Sequence, residues 1–120
     1  DISITNNSSI FSGMNKNLKV LQWHSYEVCD LPKNTDLLAS SPLCGTQAFS
    51  FGNAFGLQFH VEQTNETVPQ WACVPEYKSA LEKQLGEGAL DKFDKDSQTH
   101  MPSMNEYSKI LYENFKKLVQ

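Results

Sequence analysis

The sequence has no long hydrophobic run and no excess of positive charge. Because no apolar stretch approaches the roughly 20 residues that a membrane-spanning helix needs, we expect no transmembrane segment. The formal net charge of −4, from 10 basic and 14 acidic residues, gives no electrostatic reason to expect nucleic acid or an anionic membrane as a partner. No basic segment followed by an apolar stretch opens the chain, so a signal peptide is not predicted.

Cysteine is scarce, and its spacing is uninformative. Cys29, Cys44 and Cys73 are odd in number and far apart, whereas a disulfide framework more often has an even number of cysteines at close spacing. No C-x-x-C or H-x-x-x-H pair links them with the three histidines, so the usual spacing of zinc ligands is missing as well. We therefore expect a cytoplasmic protein with reduced thiols and neither a metal ion nor another cofactor.

The residues that are present suffice for one small domain. With 120 residues, 39% of them hydrophobic and 11% aromatic, the chain can build a packed core, so disorder is not expected. Its first half alternates as strands do, and its second half has the period of helices. Short strands are predicted at Ile2 to Ile4, at Lys19 to Val28 and at Leu37 to Ser40.

A β-hairpin is the clearest local prediction. Apolar residues alternate with small or polar ones in Thr46 to Phe51 and again in Ala54 to His60. Between these runs, Gly52 and Asn53 tolerate the positive φ that tight turns require. The large apolar side chains of the second strand share one face, and His60 projects from the opposite face at its end.

Helices are predicted from residue 64 onward. They are expected at Thr64 or Asn65 to Trp71, at Pro75 to Leu85 with Gly86 as the stop, at Glu87 to Asp96, and from a capping box of Ser103 and Glu106 to the end of the chain. In the second and the last of these helices, apolar residues recur at three- and four-residue spacing and predict a face turned toward the core.

One pair of residues at the end of the hairpin could carry chemistry. His60 and Glu62 are two apart, and in an extended chain such residues project to the same side, roughly 6.5 to 7 Å apart along it. Glu62 can therefore accept a hydrogen bond from the His60 ring, fix its tautomer and stabilise its protonated form. An H-x-E pair alone is weak evidence, because most such pairs are surface or structural features.

Three segments in succession make the signal more specific. They read LQWHSYEV at 21–28, DLPKNTDLLASSPLCGTQAFSFGN at 30–53 and GLQFHVEQT at 56–64. Their order resembles the second half of class I glutamine amidotransferases, whose pattern runs from a W-H motif through L-P and L-L-A-S-S to Q-A-F and G-L-Q-F-H-x-E. The stretch VPQWACVPEYKSALEKQLGEGAL at 68–90 is similar to stand-alone, GMP-synthase-like members.

This resemblance implies the fold class and the site. The fold would be α/β, the C-terminal half of a doubly wound, flavodoxin-like sheet with an antiparallel β-hairpin and C-terminal helices. In the family's chemistry a cysteine thiolate attacks the side-chain amide of glutamine, ammonia leaves, and water releases glutamate. His60 would be the general base and then the acid, and Glu62 would orient it. His24, Ser25 and Tyr26 lie where members hold glutamine, although a strand with packed aromatics would explain them equally well.

The family's nucleophile is missing from the sequence. Members carry it in a G-x-C-x-G elbow, whose tight turn needs small neighbours. None of Cys29, Cys44 and Cys73 has glycines two residues to either side. We therefore expect residues 1–120 to form a partial class I domain without its nucleophile elbow, and to be inactive alone.

Three functions are compatible with these residues. The first is glutamine hydrolysis in a larger amidotransferase, with glutamine as substrate and a synthetase or other ammonia acceptor as partner. The second is hydrolysis of γ-glutamyl bonds by a relative that uses the same Cys-His pair. The third is a non-catalytic module that forms homo-oligomers through the unpaired strand edge and apolar face of a half sheet.

Overall fold

The computed structural model describes residues 1–120. The first half of the chain forms strands and the second half forms helices, as predicted. The strands are β1 (Ile2–Ile4), β2 (Asn17–Leu18), β3 (Asp36–Ser40), β4 (Ala48–Phe51) and β5 (Ala54–Leu57), and the helices are α1 (Thr67–Ala72), α2 (Pro75–Leu85) and α3 (Ala89–Val119). A single 3₁₀ turn at Ser9–Phe11 lies between β1 and β2. None of the helices combines the length and hydropathy needed to cross a membrane.

The five strands form one sheet in the order β2-β1-β3-β4-β5, and every neighbouring pair is antiparallel. The α/β class, the antiparallel hairpin and the closing helices are therefore confirmed. Strands β2 and β5 are the two edges of the sheet. Because β2 has only two residues, β5 is the longer edge with free backbone hydrogen-bonding groups on one side.

The hairpin of β4 and β5 turns at Gly52, whose φ of 57° lies in the left-handed region that glycine adopts without strain. Phe49 pairs with Gly56, and its ring covers the glycine so closely that a Cβ there would lie 2.4 Å from two ring carbons. The strands are shorter than predicted, because β4 begins at Ala48 and β5 ends at Leu57. Beyond Leu57, the Gln58 N–H still donates to the Gln47 carbonyl at 2.9 Å, and His60 then pairs with Leu21 instead.

The core lies between one face of the sheet and α3. Its largest fully buried side chains are Ile2, Leu18, Leu38, Met104, Gln47 and Val68. Asn114 fastens α3 to the 3₁₀ turn, since its side-chain amide donates hydrogen bonds to the carbonyls of Ile10 and Ser12 at 3.0 and 2.8 Å. These contacts join the C-terminal helix to the first strand-and-turn unit.

The predicted strand at Lys19 to Val28 is wrong. Only Leu21 makes a β-bridge, and residues 22–28 form a loop. Side-chain hydrogen bonds take the place of strand pairing in this loop. The carbonyl of Tyr26 accepts them from the side chains of His24 and Gln58 instead of from a partner strand. Local side-chain bonds of this kind compete with strand pairing.

The predicted division between the last two helices is also wrong. Helix α3 runs without a break from Ala89 to Val119 and contains Pro102, so Ser103 lies in its interior rather than at a cap. Proline removes one backbone hydrogen bond from a helix. Here Met101 and Met104 are buried on either side of it, and their packing holds the helix together.

Helix α2 begins at Pro75 and stops before Gly86, as predicted, but its expected inner face is wrong. None of its residues is buried, and Tyr77 and Leu85 remain 49% and 65% exposed. The helix contacts α1 and α3 rather than the sheet. Its apolar residues therefore line a surface groove instead of the core.

Candidate active site

The site is built around His60, which lies three residues beyond β5. Its backbone forms an isolated antiparallel bridge with Leu21: the Leu21 N–H donates to the His60 carbonyl at 3.0 Å, and the His60 N–H donates to the Leu21 carbonyl at 2.9 Å. Leu21 and Phe59 are buried, so the backbone on both sides of the bridge is packed into the core. The His60 side chain, by contrast, is 32% exposed.

Glu62 accepts a hydrogen bond from the His60 ring, as the two-residue spacing predicted. His60 Nδ1 lies 2.7 Å from Glu62 Oε1, and the other carboxylate oxygen accepts the backbone N–H of Val61 at 2.9 Å. Both oxygens of Glu62 are thus engaged, which fixes the carboxylate. With its proton on Nδ1, the neutral imidazole presents the lone pair of Nε2, the only ring nitrogen of His60 without a partner in the chain.

The pKa of Glu62 is lowered from its ordinary value. Partial burial by itself raises it, but the hydrogen bond from His60, the backbone N–H groups of Glu62 and Val61 and the charge of a protonated His60 together outweigh that effect. Glu62 is therefore a carboxylate at neutral pH. A carboxylate in this position can stabilise positive charge on His60 when the ring takes up a proton.

Trp71 of α1 contacts the same histidine. The centroids of the two rings lie 5.2 Å apart with their planes at 68°. Trp71 also contacts Trp23, with ring centroids 5.2 Å apart and planes at 57°. Sequence reasoning used Trp23 only as part of the W-H motif and assigned neither tryptophan to the site, because their contact joins residues 48 positions apart in the chain.

The predicted substrate residues His24, Ser25 and Tyr26 lie in the loop after Trp23. All three are exposed, Tyr26 to 88%. The His24 ring is held at both nitrogens, with Nδ1 2.8 Å from the Tyr26 carbonyl and Nε2 2.7 Å from Gln22 Oε1. This loop faces α2 across an open groove of about 320 Å³, which these residues line together with Gln22, Trp23, Tyr77, Ala80, Leu81 and Gln84.

The loop is connected to the core by a chain of amides. Gln22 donates to Gln47 Oε1 at 3.0 Å, and Gln47, only 1% exposed, donates to Ser41 Oγ at 3.1 Å. Gln47 thus supports the loop architecture. Sequence reasoning did not predict the role of Gln22, which connects His24 to Gln47. The spacing of Gln22 and His24, which matches that of His60 and Glu62, was the available signal.

None of the three cysteines completes the site. All are unpaired, and each thiol donates a hydrogen bond to a backbone carbonyl within four residues rather than to His60. Burial raises the pKa of the Cys44 thiol, and the neighbouring Glu27 raises it further. A raised pKa leaves less of the nucleophilic thiolate. No cluster of three or more His, Cys, Asp and Glu side chains in the chain is arranged to hold a metal ion.

Comparison with known proteins identifies the family. The family model "Glutamine amidotransferase class-I" matches residues 1–70, which is more than half of the chain. This chain belongs to the class I glutamine amidotransferase family. The His60–Glu62 pair of the H-x-E motif and the loop of the W-H motif both fall inside the matched segment.

Individual relatives agree with this assignment. The chain is 34% identical over 64 residues to a component of the glutamine-hydrolysing GMP synthase of Methanobrevibacter smithii, a match that covers 52% of this chain and 34% of that protein. It is 44% identical over 63 residues to the glutamine-hydrolysing GMP synthase of Helicobacter pylori strain 26695, covering 51% of this chain and 12% of that protein. The predicted similarity to GMP-synthase-like members is confirmed.

The fold agrees as well. A crystal structure of a glutamine amidotransferase from Thermotoga maritima superposes with a TM-score of 0.78 at 25% identity, over 95% of this chain and 47% of that one. The chain thus spans about a third of the Methanobrevibacter protein and about half of the Thermotoga protein.

Proposed function

We propose that this chain supplies the acid-base half of a glutamine-hydrolysing site. The observation that carries the proposal is the 2.7 Å contact between His60 Nδ1 and Glu62 Oε1, which leaves Nε2 unbonded and the ring partly exposed. A base with this arrangement can take a proton from a thiol, because the carboxylate stabilises the imidazolium that results. The family assignment supplies the substrate class.

The reaction would run in two acyl-transfer steps. A cysteine, supplied from outside these 120 residues, gives its proton to His60 Nε2 and attacks the side-chain amide carbon of glutamine as a thiolate. His60 returns that proton to the leaving nitrogen, so that ammonia departs and a glutamyl thioester remains. Water, deprotonated by His60, then attacks the thioester, and the proton passes to the departing thiolate as glutamate is released.

Glutamine would be held at the loop of His24, Ser25 and Tyr26. Support for this role comes from the groove of about 320 Å³ beside the loop and from the contact of Trp23 with Trp71, which connects the loop to His60. The Tyr26 carbonyl is already bound by His24 and Gln58. We therefore assign substrate contact to the remaining groups of the loop, the Ser25 backbone and hydroxyl first among them.

Residues 1–120 would act as part of a class I domain whose nucleophile elbow they do not contain. The Methanobrevibacter relative, named as one component of a glutamine-hydrolysing GMP synthase, suggests a synthetase as the partner that takes up the ammonia. By this proposal the chain alone does not hydrolyse glutamine, because catalytic groups that act as a unit fail when one is missing. A cytoplasmic location remains a prediction.

The test is ammonia release from glutamine by two proteins: the chain alone, and the chain joined behind a segment that carries the family's G-x-C-x-G elbow. We expect activity only from the joined protein. In that protein His60→Asn should abolish ammonia release, whereas the control His100→Asn should keep the full rate, since His100 lies on α3 outside the site. An unchanged rate in His60→Asn would refute the proposal. So would release by the chain alone that persists after all three cysteines are changed to Ala.

A γ-glutamyl hydrolase would use the same Cys-His-Glu chemistry and differs only in substrate. The same joined protein, assayed with glutamine and with γ-glutamyl peptides, separates the two functions. Faster release from the peptides, with no ammonia from glutamine, would favour the hydrolase.

Self-association is a second function that a specific observation favours. Strand β5 is an unpaired edge, and Phe51 and Leu57 in the hairpin are 54% and 42% exposed. Exposed edges and apolar residues of this kind promote pairing between copies. Light scattering during size-exclusion chromatography would show a dimer or larger species, and a monomer at high concentration would exclude this function.

A further inference from the structure

The hydrogen bond to Glu62 does not by itself fix the orientation of the His60 ring. A single N–H···O bond lies in the plane of the imidazole and defines one direction, so the ring can still pivot about the line from Nδ1 to the carboxylate oxygen. A second contact, made away from the line between Nδ1 and the carboxylate oxygen, is needed to fix the direction in which Nε2 points. Trp71 provides such a contact, with the ring planes at 68° and the centroids 5.2 Å apart.

Trp71 is itself held in place by an aromatic cluster, which consists of Trp23, Trp71, Tyr77 and Phe93. Trp23 is its centre, with ring centroids 5.2 Å from Trp71, 5.3 Å from Phe93 and 6.3 Å from Tyr77. All three contacts are tilted or edge-to-face, the geometry that aromatic quadrupoles favour. The cluster joins the loop before His24 to all three helices.

We propose that Trp71 is a positioning residue for His60: it holds the imidazole in the orientation that gives Nδ1 to Glu62 and aims Nε2 at the reacting groups. The catalytic meaning of this inference rests on the proposed function. Because Trp71 also packs on Trp23, the residue before His24, it ties the orientation of the base to the position of the predicted substrate loop.

A purely structural role fits Trp71 less well. Val68 is the residue of α1 that is buried in the core, at 2% exposed, whereas Trp71 packs against the edge of the core and stays partly exposed beside His60. This division offers a matched control, since Val68→Ala weakens the packing of the same helix without removing a group that touches His60. Trp71→Phe keeps an aromatic ring in place, and Trp71→Ala removes it.

The first experiment reads the geometry directly in the 120-residue chain. The Nδ1–H of His60, hydrogen bonded to Glu62, gives a nuclear magnetic resonance signal whose exchange with water reports how well the bond is held. We expect exchange to become about tenfold faster in Trp71→Ala and to change little in Trp71→Phe and Val68→Ala. Equal exchange in the unmodified chain and in Trp71→Ala would overturn the proposal, as would an equal effect of Val68→Ala.

The second experiment reads catalysis in the joined protein that carries the elbow. With active sites counted by titration of the nucleophile, Trp71→Ala should lower kcat about tenfold with KM within about twofold, and Trp71→Phe should recover most of the loss. An unchanged kcat per active site would reduce Trp71 to a packing residue. If the unmodified joined protein releases no ammonia, the proposed function fails, while the exchange measurement still decides the positioning role.

Discussion

Leu21 and His60 exchange two backbone hydrogen bonds, at 3.0 and 2.9 Å, although they are 39 positions apart and neither belongs to a strand of the sheet. This bridge brings the loop of the W-H motif beside the H-x-E motif. The side chains then strengthen the connection, because Trp23 and Trp71 meet next to the His60 ring. The two motifs that identify the family in the sequence are thus one structural unit.

Replacing Glu62 tests whether it orients His60, the proposed general base. In the joined protein, Glu62→Gln keeps the size of the side chain but removes its charge, so the imidazolium loses its stabilising partner and the ring can adopt the wrong tautomer. We expect glutaminase kcat to fall about 10²- to 10⁴-fold. The control is Glu66→Gln, a carboxylate at the start of α1 that is hydrogen bonded to Gln70 and not to His60. Equal rates in both variants would contradict the assigned role.

The lowered pKa of Glu62 predicts a specific pH dependence. Because the folded-state pKa lies below the unfolded one, ionised Glu62 contributes stability above its unfolded pKa, and this contribution is lost as pH falls through the folded pKa. His60→Ala removes a main cause of the shift, so the pKa of Glu62 should rise. Carboxyl carbon resonances followed from about pH 2 to 7 would measure it, with His100→Ala as the control. A Glu62 titration that is identical in His60→Ala would contradict the contact.

Gly56 shows what sequence reasoning captured and what it missed. Alternation predicted a hairpin within residues 46–60 correctly, because period two is a local property of strands, but these strands do not bury one apolar face. Ala48 is buried, whereas Phe51 and Leu57 are 54% and 42% exposed. Alternation could not show that Phe49 covers Gly56, since that contact depends on the register between the two strands. For the same reason the predicted start of β4 lies two residues too early, and the predicted end of β5 lies three residues too late.

Two further errors have the same origin. The β-branched and aromatic residues at 19–28 satisfy the local rule for a strand, yet no neighbouring strand is available beyond Leu21, and side chains take up the backbone groups. Pro102 and a capping-box pattern satisfy the local rule for a helix break, yet tertiary packing of Met101 and Met104 keeps α3 continuous. The H-x-E contact was predictable because it needs only an extended backbone over three residues.

Enlarging Gly56 should destabilise the hairpin. A Cβ at this position would lie 2.4 Å from the Phe49 ring, so the ring must move out of its place in Gly56→Ala. We expect the free energy of unfolding to fall by about 1 to 3 kcal/mol, as is typical of overpacking. Gly45→Ala is the matched control, because a Cβ there meets nothing within 4 Å. Urea unfolding followed by tryptophan fluorescence measures both, and equal midpoints would show that Phe49 relaxes without cost.

Removing the buried amide of Gln47 should weaken the fold and release the loop. Gln47→Leu keeps the volume approximately but leaves the partly buried Gln22 Nε2 without its acceptor, whereas Ser41 Oγ keeps its hydrogen bonds to Cys44. An unsatisfied buried polar group costs about 1 to 3 kcal/mol, so we expect a loss near the lower end of that range. The exposed Gln70→Leu should change stability by less than about 0.5 kcal/mol. Because Gln22 also holds His24, amide hydrogen exchange at residues 24–26 should accelerate in Gln47→Leu and not in Gln70→Leu. A loss of stability without faster exchange in this loop would show that Gln47 does not hold residues 24–26 in place and contributes only to the stability of the core.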